Sequence, residues 1–171
     1  MKKNLMLSTL FFFLICLPLA AGEDGFAADF GKGWAGAESY LMEMTESMPA
    51  DAYGFKPTPE IWTFGKQAAH IADVIFTIAS KVKGEENPGK GFEAEGKNKA
   101  EIIAYLTKAF AYSKGVLAGL DDKAAQEKVK IWGMDAMKAS WFRMMRDHTT
   151  HHRGQMVIYL RLKGIKPPEY R

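Results

Sequence analysis

The chain has 171 residues, 23 of them Lys or Arg and 20 Asp or Glu, for a formal charge of +3, with 47% hydrophobic residues and one cysteine. So small a surplus of positive charge gives no ground for a nucleic-acid partner. A single cysteine excludes a fold stapled by internal disulfides.

Residues 1–22 read as a targeting segment. Lys2 and Lys3 precede an almost unbroken apolar run from Leu5 to Leu19, and the small residues Ala20, Ala21 and Gly22 follow where a signal peptidase cuts. The run is shorter than the roughly 20 residues of a membrane span, so the expectation is a cleaved signal peptide and no stable membrane anchor. Cys16 follows Ile15 rather than the small residue that a lipoprotein signal requires. Cleavage leaves residues 23–171, enough for one ordinary hydrophobic core and hence a single domain. Without Lys2 and Lys3 the basic residues fall to 21 against 20 acidic ones, a formal charge of +1. The mature domain is expected to be exported, periplasmic or extracellular, and to lack any thiol.

From Ala35 to Met48, Tyr40, Leu41, Met44 and Met48 recur at spacings of three and four, predicting a first helix that begins near Asp29 and is closed by Pro49. The link Pro49 to Pro59 is expected to be extended, because its prolines cannot continue a helix. Thr63 to Lys81 or Val82 is the second helix, with Phe64, Ala68, Ile71, Ile75, Ile78 and Val82 on one stripe. His70 lies at the edge of that stripe, about 100° from Ile71. The glycines and proline of Lys83 to Lys97 form a long connection, after which Asn98 caps a third helix reaching about Leu120. Its inner face comprises Ile102, Tyr105, Leu106, Ala109, Tyr112, Val116 and Leu120.

Asp121 and Asp122 open a weakly structured link through Trp132 and Gly133, and Asp135 is the expected cap of a fourth helix ending before Gly164. Within about 60° of His148 on that helix fall Trp141, Met144, Met145, His151, His152, Gln155, Tyr159 and Leu162. Arg143, Arg146, Arg153 and Arg161 fall near the opposite side, where they are expected to be solvated or paired with carboxylates. With no convincing run of alternating strand residues, the prediction is an all-α four-helix bundle. The connections after the second and third helices are long enough to cross the bundle.

All four histidines are His70, His148, His151 and His152. Imidazoles at i and i+4 lie one turn apart, roughly 5 to 6 Å between Cβ atoms, and can converge on one ion at roughly 2.0 to 2.1 Å. His148 and His152 have that spacing. His151 is turned about 60° from His148 and 100° from His152, which suits a supporting or interhelix contact better. A third ligand has to come from another helix, and His70 is the remaining histidine. The same pair also occurs where buried imidazoles merely exchange hydrogen bonds, so a metal-free bundle stays open. Gln155 and Tyr159 follow one and two turns later, where they either hydrogen-bond a ligand or pack at the core edge. No carboxylate stands out as a general base: Asp73, i+3 from His70, and Asp147, beside His148, both project as solvated helix charges.

Two separated segments resemble the DinB family of metal-dependent bundle proteins. They are Tyr53-Gly-Phe-Lys-Pro-Thr-Pro59 leading into Phe64-Gly-Lys-Gln-Ala-Ala-His-Ile-Ala72, and His148-Thr-Thr-His-His-Arg-Gly-Gln155 continuing to Tyr159-Leu-Arg-Leu-Lys-Gly-Ile-Lys-Pro-Pro-Glu-Tyr170. By motif position the resemblance puts the family's metal ligands on His70, His148 and His152. It implies a four-helix bundle with long crossover connections, often a homodimer, holding a divalent ion such as zinc or nickel. The function it implies is a metal-dependent hydrolase or transferase acting on a small molecule of unknown identity. The alternative is a noncatalytic exported metal-binding or stress-related module in which the ion staples helices together.

Overall fold

The computed structural model describes residues 25–169. The expected signal peptide, residues 1–22, lies outside the described residues. Helices α1 (Phe26–Ser47), α2 (Phe64–Lys83) and α3 (Lys99–Ala118) precede a short helix α4 (Asp122–Gln126), a hairpin of β1 (Lys128–Ile131) and β2 (Met134–Met137), and the long helix α5 (Lys138–Leu162). The helix starts follow from local chemistry. Thr63 accepts from the Lys66 amide at 3.2 Å, and Asn98 and Glu101 exchange side-chain-to-backbone bonds of 3.0 Å in a capping box. Gly84 ends α2 at φ +80°, a left-handed conformation that favours glycine. Gly25 has no side chain to cap α1, and the Phe26 amide is instead met by Asp122 Oδ1 at 2.7 Å.

The four long helices form a bundle in which α1 and α2 each pack on both α3 and α5. Helices that follow one another, α1 and α2, therefore sit across the diagonal, as do α3 and α5. The crossing connections are those after α1 and α3, whereas the one after α2 joins neighbours. Connection length suggested the second and third links instead, but a long link can equally fold back. Here Gly89 is buried against Phe76 and Tyr105, and the Phe92 ring lies parallel to that of Tyr105 at 3.8 Å. Among the described residues no helix is long and apolar enough to cross a membrane.

Several expectations are corrected. The first helix starts at Phe26 rather than near Asp29, and the link after it opens with a 3-10 turn, Ala50–Ala52, instead of running extended throughout. That turn lets the buried Tyr53 hydroxyl donate to the Thr45 carbonyl at 2.7 Å. Residues 128–137 form the antiparallel hairpin where no strand was expected, pairing Lys128 with Met137 and Ile131 with Met134. Trp132 (φ +48°) and Gly133 (φ +81°) make its two-residue turn, the positive-φ pair that matches strand twist. Four-residue strands are too short to stand out by alternation, and these are held from outside: the Trp141 indole donates to the Val129 carbonyl at 3.0 Å. Asp135 consequently lies in β2 and does not cap α5.

Of the α5 arginines, Arg143 and Arg161 are exposed as expected, while Arg146 is half-buried and Arg153 buried. Arg143, Arg146 and Arg153 lie over the rings of Phe26, Phe30 and Tyr40 on α1, at 5.1, 5.5 and 4.6 Å, and Arg153 is buried. Helix α5 thus packs on two sides, with aromatic rings accepting the cationic one.

Two glycines give opposite predictions. A Cβ at Gly89 would lie 2.4 Å from Phe76 Cδ2 and 2.6 Å from the Tyr105 hydroxyl, whereas one at Gly115, within α3, meets nothing within 4 Å. Gly89→Ala is expected to cost about 1–3 kcal/mol by overpacking. Gly115→Ala is expected to add about 0.5–1 kcal/mol through helix propensity. Urea unfolding of the two variants checks both signs.

Candidate metal centre

The packing of α2 on α5 brings His70 to His148 and His152. His148 and His152 are one turn apart on α5, and His70 faces them from the edge of the buried side of α2. The three rings turn the same nitrogen inward. His70 Nε2 and His148 Nε2 are 3.1 Å apart, as are His148 Nε2 and His152 Nε2, and the donor atoms of all three lie within 4.8 Å of one another. A tetrahedral ion bonded at roughly 2.0–2.1 Å spaces its nitrogen ligands by about 3.3 Å. Among the described residues these three histidines are the group of His, Cys, Asp and Glu side chains that gathers in this way.

Burial governs their protonation. It pushes the imidazoles of His148 and His152 from 6.5 down to about 4, and the neighbouring histidines add to the effect in both. His70 is lowered too, by burial first, against a partial opposing pull from Asp73. All three rings are therefore neutral near pH 7 and present lone pairs.

Around them lie groups that sequence reasoning did not single out. Gln67, one turn before His70 and 2% exposed, places Oε1 2.6 Å from His152 Nδ1. Its Nε2 donates to Gln155 Oε1 at 2.8 Å and to the Tyr159 hydroxyl at 3.3 Å. Trp62, just before the Thr63 cap of α2, accepts the Tyr159 proton on its carbonyl at 2.6 Å. Its indole lies parallel to the His152 ring with centroids 6.1 Å apart and edge-on to His70 at 4.9 Å, forming a half-exposed apolar wall. A glutamine on the apolar stripe of the second helix, at i−3 from a candidate ligand, was the available signal for Gln67. Trp62 carried none, because it precedes the helix.

His151 is exposed and does not join the ligand group: its ring meets that of His152 edge-on at 4.9 Å, and its Nε2 accepts from Gln155 at 2.8 Å. Gln155 and Tyr159 are engaged with Gln67 and also line a groove with Pro57, Ile61 and Ile158. His148 lacks comparable support, since its buried Nδ1 has no hydrogen-bond partner among the described residues. Asp147 is exposed as expected, but Asp73 is not a solvated charge. Its Oδ1 accepts from the Tyr105 hydroxyl at 2.6 Å, and burial raises its carboxyl above the usual range. The helical projection of α2 alone does not reveal that α3 brings Tyr105 to this side.

Three neutral imidazole nitrogens, with no carboxylate or thiolate among them, suit a borderline divalent ion and leave coordination positions open. Comparison with known proteins agrees with the bundle that presents them. A DinB-like protein from Bacillus cereus ATCC 10987 superposes with a TM-score of 0.72 at 20% identity, covering 83% of this chain and 95% of that one. A DinB-like protein, YjoA, from Bacillus subtilis gives 0.70 at 16% identity, covering 84% and 98%. In sequence the chain is 25% identical over 146 residues to the uncharacterized protein YrdA of Bacillus subtilis strain 168, across 81% of this chain and 84% of YrdA. The DinB family model matches residues 26–171, and the chain belongs to the DinB family.

Proposed function

We propose that this protein binds a divalent ion, zinc or nickel by preference, through Nε2 of His70, His148 and His152, and uses it in hydrolysis or group transfer on a small molecule. The observation that carries this reading is the convergence of three desolvated neutral imidazoles, with His148 Nε2 3.1 Å from Nε2 of both His70 and His152. With three ligands from the protein, a tetrahedral ion keeps a position for water or substrate, which favours a catalytic over a closed structural site. The ion supplies a Lewis acid that activates a nucleophile or polarises a carbonyl. The chain's own residues bind and shield: the Trp62 indole covers the His70 and His152 rings on one side, and the Gln67 amide holds His152 from behind. We further propose that the protein works outside the cytoplasm, on the strength of Lys2, Lys3, the Leu5 to Leu19 run and Ala20-Ala21-Gly22.

Calorimetric zinc titration of untagged protein is expected to give one ion per chain. His70→Ala, His148→Ala and His152→Ala each lose more affinity than the roughly 10- to 100-fold that follows loss of a supporting partner, while His151→Ala keeps the stoichiometry. Wild-type affinity in folded His70→Ala would remove the interhelix site.

Protonation gives a second expectation. Between about 4 and 6.5 the folded state keeps His148 and His152 neutral whereas the unfolded chain takes up protons on them. Stability of the metal-free protein therefore falls as pH drops through that window. The His148→Gln, His152→Gln double variant is expected to lose part of this dependence in urea unfolding measured from pH 7 to pH 4.

For the native protein, mass spectrometry should find a mature start between Ala21 and Glu23. A soluble cytoplasmic form retaining Met1 would overturn the export reading.

A further inference from the structure

An imidazole binds an ion through Nε2 only when that nitrogen is bare, so a neutral histidine ligand has to carry its one proton on Nδ1. We propose that Gln67 and Tyr159 are positioning residues that impose this tautomer on His152, through a chain of hydrogen bonds whose direction is set at the Trp62 backbone carbonyl. The inference deepens the metal-binding reading and rests on it for its consequence, although the tautomer itself is a property of the metal-free protein.

The direction of the chain follows from what each group can donate. A peptide carbonyl only accepts, so the Tyr159 hydroxyl, 2.6 Å from the Trp62 oxygen, places its single proton there. What it then offers Gln67 is a lone pair, met by the Gln67 amide nitrogen at 3.3 Å. With nitrogen on that side, the amide oxygen is turned to His152 Nδ1 at 2.6 Å, and an oxygen that only accepts requires a proton on Nδ1. The His152 Nε2 lone pair is left facing His148 Nε2 at 3.1 Å.

A side branch carries the same polarity. The second Gln67 amide proton goes to Gln155 Oε1 at 2.8 Å, and the Gln155 amide nitrogen donates to His151 Nε2 at 2.8 Å. Reversing the Gln67 amide would set its oxygen against the Tyr159 oxygen, whose proton is committed to Trp62, and its NH2 against the His152 N–H. Gln67 and Tyr159 are each 2% exposed and His152 7%, so water has little room to repair such a mismatch. Gln155 and the exposed His151 can follow either polarity, because the His151 proton can sit on either ring nitrogen, so the direction is set at the Trp62 carbonyl. His148, whose Nδ1 lacks a partner, has no counterpart to this support.

The test is nitrogen NMR of metal-free protein labelled with 15N-histidine at pH 8, His152 being assigned by the loss of its signals in His152→Ala. Wild type is expected to show a protonated Nδ1 and a bare Nε2 at His152. Gln67→Leu, close in size but without an acceptor, should shift His152 largely to the Nε2–H form. Tyr159→Phe, which removes one hydroxyl, should give a mixture, and Gln67→Glu, which accepts at Nδ1 as the amide does, should retain the wild-type form. Helical content by circular dichroism establishes that each variant is folded, and if Gln67→Leu is not, Tyr159→Phe decides. An Nε2–H form in wild type, or an unchanged tautomer in folded Gln67→Leu and Tyr159→Phe, overturns the proposal.

Zinc affinity supplies the second readout: a drop of about 10- to 100-fold in Gln67→Leu, recovered in Gln67→Glu, is expected. Wild-type protein that shows the predicted tautomer and takes up no zinc would end the metal-binding reading while leaving the assignment of Gln67 and Tyr159 standing.

Discussion

Helix α2 is buried on nearly every side, and its polar positions toward α5, Gln67 and His70, have to be satisfied by whatever α5 presents to them. This constraint decides the character of the site. A buried amide and a half-buried imidazole are costly without partners, and α5 supplies them at successive turns: His148 for His70, and His152, Gln155 and Tyr159 for Gln67. The α2–α5 contact thus has a polar centre, while Ile71 and Ile75 on α2 and Met145 and Met156 on α5 are excluded from solvent.

Gathering three imidazoles in such a place has an electrostatic consequence. None can easily be charged, because each would lose hydration and face its neighbours, and so they stay neutral where a free imidazole begins to titrate. Three acceptor nitrogens crowded together are poorly served by the few protons available to them. A cation resolves the crowding, which is the physical ground for reading the cluster as a binding site rather than as ordinary core polarity.

The bundle's connectivity serves the same end. Placing α1 diagonal to α2 lets the residues between them, with Tyr53 and Phe55 bonded back to the start of α2, carry Trp62 to the edge of the histidine cluster. On the far side of α5, the rings of Phe26, Phe30 and Tyr40 on α1 take the guanidinium groups of Arg143, Arg146 and Arg153. That contact fixes the rotation of α5 about its axis, and with it the direction in which His148 and His152 point. The hairpin and α4 close the other crossing, where Asp122 reaches the amino end of α1.

By itself the sequence determined what local periodicity and local chemistry can express. The four long helices, the Asn98 cap, the i, i+4 pairing of His148 with His152 and the rotation of His151 away from them all follow from local spacing and local chemistry. The stripe from Phe64 to Val82 is buried as that spacing requires. What only the tertiary structure decided are relations between helices, because periodicity on one element contains no information about the partner across from it. Gln67 was not singled out until α5 was placed opposite it, nor Trp62 until the connection that carries it crossed the bundle. Asp73 read as a solvated charge until Tyr105 of α3 reached it, and the projection of α5 alone could not show that the Tyr40 ring of α1 lies beneath a buried Arg153. The hairpin escaped for a related reason: Lys128–Ile131 and Met134–Met137 are too short to declare themselves, and they owe their pairing to a turn and to Trp141 on a neighbouring helix.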